Sequence, residues 1–224
     1  LTLNPDEFTE VEYAIETTIN ATDPSYCLRV SDAGTPIDSY TKVAELPLVF
    51  EPSISSVTFN DGNDITLTPG ATTTVYATGT VTDLNGYTDI AHATATLYRS
   101  GVGSSCSANL NNCYIAATSS CTYTSCSGNS CAIVCQADYY YFADPTDTGS
   151  PYDGESWGAL FSVADQGGLT ASQTAPFVEL LTLQAFDTDS LINYGSLAVS
   201  ENTGGTNATT TFTNLGNQSI DILI

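Results

Sequence analysis

The sequence has little positive charge, and this scarcity excludes several kinds of function. Its 224 residues include three basic side chains, Arg29, Lys42 and Arg99, against 25 acidic ones, for a formal net charge of −22. A chain this anionic repels nucleic acids and anionic lipid surfaces, so neither is expected as a partner. It also has no apolar run of the length a membrane helix needs, so no membrane insertion is expected.

The sequence contains neither methionine nor a basic region followed by an apolar signal-like run. We therefore expect an exported chain whose signal has been removed, located outside the cell or on its surface. Disorder is not expected, because 42% of the residues are apolar and 13 tyrosines and 8 phenylalanines supply core material.

The side chains of common catalytic motifs are also scarce. The single histidine, His92, is predicted to lie on an outward strand face among threonines, with no partner implied by spacing. Nucleophile-elbow, zinc-protease and phosphate-binding motifs do not occur. Carboxylates that could serve a glycosidase are too abundant to be informative. We expect no enzymatic activity and no required cofactor.

Cysteine, in contrast, is plentiful and clustered. Of seven cysteines, six fall within thirty residues: Cys106, Cys113, Cys121, Cys126, Cys131 and Cys135. The cluster has no C-x2-C pair and no nearby histidine, which favours disulfides over zinc. Fifteen pairings remain open, although two cysteines four residues apart on one strand are about 13 Å apart and cannot bond each other. Cys27 is left over, either as a buried free thiol or as an intermolecular bridge.

Period-2 alternation predicts strands throughout the chain. It is clear in residues 75–82, 91–98 and 157–163, and less clean in 177–183. Ser and Thr make up a quarter of the residues, and turns rich in Asn, Asp and Gly separate the strands. No stretch has helical periodicity with caps. The fold class expected is all-β.

Strand spacing divides the chain into three parts. Residues 1–50 supply about three strands, expected to be late strands of a sandwich. Residues 51–180 supply about seven, enough for a complete sandwich with a Cys-rich insertion at 100–136. Residues 181–224 supply three or four early strands, predicted near 191–194, 208–215 and 220–224. The expected architecture is one complete Ig-like β-sandwich flanked by two incomplete sandwich segments.

Several turn-and-strand segments resemble the immunoglobulin-like or fibronectin-like domains of exported bacterial and archaeal surface proteins. They are residues 80–91, 98–102, 141–147, 157–172 and 192–222. The resemblance implies a stalk, adhesin or filament module rather than an enzyme, and it specifies fold and location better than activity.

Incomplete sandwich segments at both ends suggest association between copies. A sheet that lacks strands exposes unpaired backbone groups, which pair readily with another chain. Head-to-tail β-strand donation would complete both ends and build an open filament. The hypothesis is a structural subunit of an extracellular filament whose partners are copies of itself. The alternative is a stalk or adhesin module of a larger surface protein that binds a glycan or a host partner.

Two acidic loops are candidates for a bound Ca²⁺. The first places oxygen ligands at Asp83, Asn85 and Asp89 around Gly86, but lacks the final acid of an EF-hand. The second supplies four carboxylates: Asp144, Asp147, Asp153 and Glu155. Solvated turns explain both loops as well, because Asp and Asn favour turns.

Three N-glycosylation sequons occur, at Asn20, Asn207 and Asn217. A chain with this much Ser, Thr and Asn contains about three or four by chance. Their number therefore carries no signal, and their position in polar terminal segments is only compatible with glycosylation.

Overall fold

A computed structural model describes residues 49–205 and 209–223, together with four short backbone segments near the N-terminus. The chain divides into two compact units, Leu1–Val49 and Phe50–Ile224. Asn20, Asn207 and the side chains of Cys27 and Lys42 lie outside the described residues, so the predictions made for them stay predictions.

The first unit contains two short antiparallel pairs. Strand β1 (Ser25–Leu28) pairs with β4 (Lys42–Glu45). Strand β2 (Ser31–Asp32) pairs with β3 (Thr35–Pro36). Among the described residues each pair is a sheet of two strands, and a sheet of that size is at best marginally stable in water by itself.

The second unit contains two four-stranded antiparallel sheets. The first sheet has the order β5 (Ser53–Phe59), β6 (Thr72–Thr82), β10 (Ser130–Tyr140), β9 (Cys121–Ser127). The second has the order β12 (Thr170–Thr174), β11 (Trp157–Asp165), β7 (Ile90–Arg99), β8 (Cys113–Ala116). If β5 to β12 are lettered A, B, C, C′, D, E, F and G in chain order, the two sheets read A-B-E-D and G-F-C-C′. This is the strand arrangement of an immunoglobulin-like sandwich. The all-β fold class is confirmed.

Alternation of side chains builds the core between the sheets. Val75, Ala77 and Val81 of β6 are buried, as the pattern predicts, and so are alternate residues of β7 and β11. Gly79 is required by a close approach, because a Cβ there would lie 2.5 Å from the ring of Phe161. The single histidine of the chain lies exposed on β7, as expected from its outward position.

The Cys-rich segment is not an insertion, which corrects the prediction for residues 100–136. It contains β8, β9 and the first part of β10, and β10 is a central strand of its sheet. The side chains of Cys131, Ile133 and Cys135 on β10 are fully buried in the core. Abundant Ser, Thr and Asn around the cysteines hid this alternation.

Three disulfides join the six clustered cysteines. They are Cys106–Cys113, Cys121–Cys135 and Cys126–Cys131. Cys121 and Cys135 lie directly opposite each other on β9 and β10. The second hairpin bond, Cys126–Cys131, closes the turn between the same two strands. Cys131 and Cys135 share a strand and bond to other partners, as their spacing requires.

After the sandwich the chain makes one more two-stranded sheet. Strand β13 (Phe186–Thr188) pairs with β14 (Phe212–Asn214). Strands were predicted at 191–194 and near the chain end, and the described residues there form none. The alternation over 177–183 predicts that Phe177 and every second residue after it face inward, and this is wrong, because Val178 and Leu180 are buried while Phe177 is exposed.

Three short 3-10 turns, Asn60–Gly62, Tyr87–Asp89 and Thr118–Ser120, are the helical elements of the described residues. Within that described part of the chain, no helix is long and apolar enough to cross a membrane.

Candidate functional site

Three acidic side chains meet at one end of the sandwich. Asp83 directly follows β6, Asp89 ends the 3-10 turn before β7, and Asp165 is the last residue of β11. One carboxylate oxygen from each of the three lies within 4.8 Å of the other two. The three residues therefore join a strand end of the first sheet to two strand ends of the second.

Local hydrogen bonds fold the turn that carries Asp83 and Asp89. The backbone N–H of Asn85 donates to Oδ1 of Asp83 at 2.8 Å, and that of Gly86 donates to the Asp83 carbonyl at 3.0 Å. Gly86 has φ +109°, a conformation that other residues rarely adopt. The N–H of Asp89 then donates to the Gly86 carbonyl at 2.9 Å, which returns the chain into β7.

The turn after β11 holds Asp165 in a similar way. The N–H of Leu169 donates to Oδ1 of Asp165 at 2.8 Å. The N–H of Gln166 donates to the carbonyl of Asp89 at 2.8 Å, which ties this turn to the first one. The carboxylates are therefore brought together by two turns that are hydrogen-bonded to each other, not by one local motif.

Burial makes ionisation of these carboxylates unfavourable. Asp83 is 0% exposed and Asp165 is 2% exposed. Oδ2 of each is buried and accepts no hydrogen bond from the described residues. Desolvation raises the pKa of Asp83, the nearby charges of Asp89 and Asp165 raise it further, and only the N–H of Asn85 opposes them. Such a set of oxygens suits a hard cation.

The cluster contains two of the three residues predicted for the first calcium loop. Asp83 and Asp89 belong to the cluster, whereas Oδ1 of Asn85 accepts a hydrogen bond from the N–H of Phe50 at 2.8 Å. Sequence reasoning missed Asp165. Its signal was an acidic residue at the end of a buried strand, but the pairing of β11 with β7 is needed to place it beside Asp89.

The structure does not bring the four carboxylates of the second predicted loop together, which corrects that prediction. Oδ1 of Asp147 accepts from the hydroxyl of Thr182 at 2.6 Å. Oδ2 of Asp153 accepts from the N–H of Gly149 at 3.0 Å. The remaining two carboxylates, Asp144 and Glu155, have a basic partner.

That partner is Arg99, which is buried at the end of β7. Its Nε donates to Oδ2 of Asp144 at 3.0 Å, and its Nη1 contacts Oε2 of Glu155. Its guanidinium lies 3.9 Å from the ring centre of Tyr152.

Burial raises the pKa of Asp144, and the charge of Arg99 opposes that shift. The Asp144 carbonyl accepts from Nε1 of Trp157 at 2.9 Å. Arg99 thus supplies both carboxylates of this cluster with a cation from within the chain.

Within the described residues there is one sequon, at Asn217, and the side chain of this asparagine is hydrogen-bonded to the backbone. Oδ1 of Asn217 accepts from the N–H of Leu183 at 2.6 Å, and Nδ2 donates to the carbonyl of Leu181 at 3.1 Å. A sugar would attach to this same nitrogen, so a glycan at Asn217 has to be accommodated beside a backbone contact.

A second feature is an exposed apolar surface on the C-terminal segment, residues 186–223. Leu191 is 74% exposed, Val199 98% and Leu223 97%. A groove of about 450 Å³ runs along the same segment, lined by Phe186, Phe212, Ile220 and Ile222 among others. Exposed apolar side chains that gather into large patches are typical of surfaces that associate with a partner.

Comparisons with known proteins give little further information. No family model and no curated protein matches the chain. Among solved structures, a DUF4466 family protein from Parabacteroides merdae is similar, with 13% identity and a TM-score of 0.28. The match covers 63% of this chain and spans about half, 48%, of that one. A likeness this distant carries no argument about function.

Proposed function

We propose that the chain is a structural subunit of an extracellular filament or cell-surface fibre, in which copies associate by β-strand donation. The observation that carries the proposal is the apolar surface of residues 186–223. Large side chains such as Leu191 and Val199 stand in solvent there, beside a two-stranded sheet. A partner that covers them would release ordered water and stabilise the segment.

Backbone pairing supports the same proposal. Strands β13 and β14 form a sheet of two strands, and the first unit contains two more sheets of that size. Such sheets have unpaired N–H and C=O groups along both outer edges. A strand from another copy would pair with one of these edges, while its apolar side chains fill the adjacent groove.

Disulfides support an extracellular location. Three disulfides within one domain are typical of proteins that fold in oxidising compartments, since the cytosol keeps thiols reduced. Two of them fix the hairpin of β9 and β10. A fibre exposed to proteases and shear outside the cell benefits from such cross-links.

Charge opposes association, so the contact must be of a kind that charge does not prevent. With a formal net charge of −22 on every copy, approach is repulsive at low ionic strength. Backbone hydrogen bonds and apolar contacts are less affected by salt than ion pairs. Assembly is therefore expected to increase with ionic strength.

The test is assembly of the purified full chain, followed by negative-stain electron microscopy and light scattering. The wild type is expected to form fibres in 0.5 M salt, and the triple variant Leu191→Ser, Val199→Ser and Leu223→Ser is expected to stay monomeric. Leu110→Ser is the matched control, because Leu110 is an exposed leucine on the sandwich. Discrete monomers of the wild type at every concentration, or unchanged assembly of the triple variant, would contradict the proposal. Glycan binding by a monomeric wild type would instead favour an adhesin module.

A further inference from the structure

We propose that Asp83, Asp89 and Asp165 bind one Ca²⁺ ion, which fastens the two sheets together at one end of the sandwich. The three carboxylates come from two turns and offer oxygen atoms within 4.8 Å of one another. A single ion of ordinary Ca²⁺–oxygen distance, about 2.3–2.6 Å, can contact atoms spaced this closely.

The second observation is independent of this clustering. Oδ2 of Asp83 and Oδ2 of Asp165 are buried and accept no hydrogen bond from the described residues. A buried ionised carboxylate is strongly destabilising unless it is paired or coordinates a metal. Each residue satisfies its Oδ1 with a backbone N–H, so the oxygen left over is the one available to a ligand.

The described side chains offer these oxygens no internal cation. Arg99 is at the other end of β7 and is bonded to Asp144 and Glu155. The single histidine, His92, is exposed on β7 and is not a member of the cluster. Within the part of the chain that the structure describes, an ion from solution is therefore the source of positive charge that we infer for the cluster.

The ligand chemistry selects the ion. Three carboxylates without histidine or cysteine form a hard, all-oxygen set, which excludes a typical zinc site. Mg²⁺ requires near-ideal octahedral geometry and releases its water reluctantly, whereas Ca²⁺ accepts irregular arrangements of six to eight oxygens. Two turns from different parts of the chain provide an irregular arrangement, which favours Ca²⁺.

The position of the site determines what the ion would do. Asp83 continues from β6 of the first sheet, while Asp89 and Asp165 belong to the strand ends of β7 and β11 in the second. The disulfide at this end, Cys126–Cys131, joins two strands of the first sheet and does not link the sheets. An ion bound to all three carboxylates would hold the two sheets together there, so the stability of the sandwich would depend on Ca²⁺.

The experiment uses the full chain after dialysis against EDTA, with CaCl₂ titrated in a calorimeter and in thermal unfolding. Extracellular calcium modules bind with dissociation constants of about 10⁻⁴–10⁻³ M. At about 10 mM Ca²⁺, affinities in that range raise the Tm of a domain this size by about 3–10 °C. Trp157 reports unfolding, because it is the single tryptophan and is fully buried.

Three variants make the result specific. Asp165→Asn should weaken Ca²⁺ binding at least tenfold and remove the Tm shift. Asp89→Asn, at a half-buried position, should do the same and tests the site should Asp165→Asn fail to fold. Asp61→Asn is the matched control, because Asp61 is an exposed turn residue with φ +53°, where Asn is well tolerated. It should bind as the wild type does.

Three outcomes would overturn the inference. The first is a wild type whose Tm does not change with Ca²⁺. The second is wild-type affinity in both Asp165→Asn and Asp89→Asn, which would place any bound ion elsewhere. The third is an equal shift with MgCl₂ at the same concentration, which would contradict the assignment to Ca²⁺. Loss of binding in the two cluster variants, with binding kept in Asp61→Asn, would support it.

Discussion

The two ends of the β7–β11 strand pair bury carboxylates in contrasting ways. At one end, Arg99 lies opposite Trp157 and bonds to Asp144. At the other end, Asp83 and Asp165 lie together without a bonded basic group among the described side chains. Both ends look alike in sequence, since each has an acidic loop that contains Gly and Thr. The difference shows that strand pairing, not loop composition, determines which counter-charge a buried acid receives.

The largest loss of stability is expected at the end of the strand pair that contains Arg99. Replacing Arg99 with Met should lower the free energy of unfolding by about 3–5 kcal/mol, because it leaves Asp144 buried without a counter-charge. Urea unfolding followed by Trp157 fluorescence measures the change. Adding Asp144→Asn to Arg99→Met should recover part of the loss. A loss below about 1 kcal/mol would indicate a solvated surface pair instead.

A second prediction concerns the phenols packed at the same end. Burial raises the pKa of Tyr114 to about 12, and the negative charge of Asp144 contributes to the shift. Tyr114 stacks on the fully buried Tyr139, whose ring centre is 4.1 Å away, and burial raises the pKa of Tyr139 as well. In the unfolded chain both phenols ionise near pH 10.

Because the pKa of Tyr114 is higher in the folded than in the unfolded chain, the protein should lose stability above pH 10. Between pH 10 and 12 the unfolded chain releases a proton that folded Tyr114 retains, so the free energy of unfolding falls as pH rises. Tyr114 alone accounts for at most about 2.7 kcal/mol of that fall at pH 12. Urea unfolding at pH 9, 10 and 11 measures it.

Tyr114→Phe separates this effect from general alkaline instability. The variant loses the bonds of its hydroxyl to the Leu110 carbonyl and the Tyr140 N–H, so it should be less stable at pH 7. Its stability should nevertheless fall less steeply above pH 10. The exposed Tyr76 provides the control Tyr76→Phe, which should follow the wild type. Equal slopes for Tyr114→Phe and the wild type would contradict the assignment.

Local patterns in the sequence predicted much of the sandwich. Alternation of apolar residues is a property of each strand by itself, so β6, β7 and β11 could be placed with the correct inward faces. The same reasoning missed β10, although Cys131, Ile133 and Cys135 alternate there, because the polar residues around the cysteines suggested an insertion. A cysteine counted as a buried apolar residue would have revealed the strand.

The acidic site could be predicted only in part. Asp83 and Asp89 are six residues apart in one turn, so their proximity is local and visible in the sequence. Asp165 is 76 residues beyond Asp89, and only the antiparallel register of β11 with β7 brings them together. The failure of the second loop has the same cause: Arg99 lies 45 residues before Asp144 in the chain. Non-local pairing is not encoded in the composition of a loop.

The smallest expected effect is a gain of stability at the end that contains Asp83, Asp89 and Asp165. It also distinguishes the two ends of the strand pair most directly. Asp83→Asn removes one of three like charges whose oxygens lie within 4.8 Å. Its Oδ1 still accepts from the N–H of Asn85, and its amide gains a donor that can face Asp165. In EDTA the free energy of unfolding should rise by at least about 1 kcal/mol, the Coulomb energy of one such pair even in water. Urea unfolding measures the change, and Asp61→Asn should stay within about 0.5 kcal/mol of the wild type.

Calcium should reverse this order. In about 10 mM CaCl₂ the wild type should become more stable than Asp83→Asn, because the neutral amide is a weaker ligand than a carboxylate. The corresponding change at the other end, Asp144→Asn, leaves Arg99 with one fewer acidic partner, so it should destabilise the protein with or without Ca²⁺. A crossing of the stability curves for Asp83→Asn alone would establish that one end carries its counter-charge in the chain and the other takes it from solution. A loss of stability for Asp83→Asn in EDTA would mean that both ends are already neutralised from within.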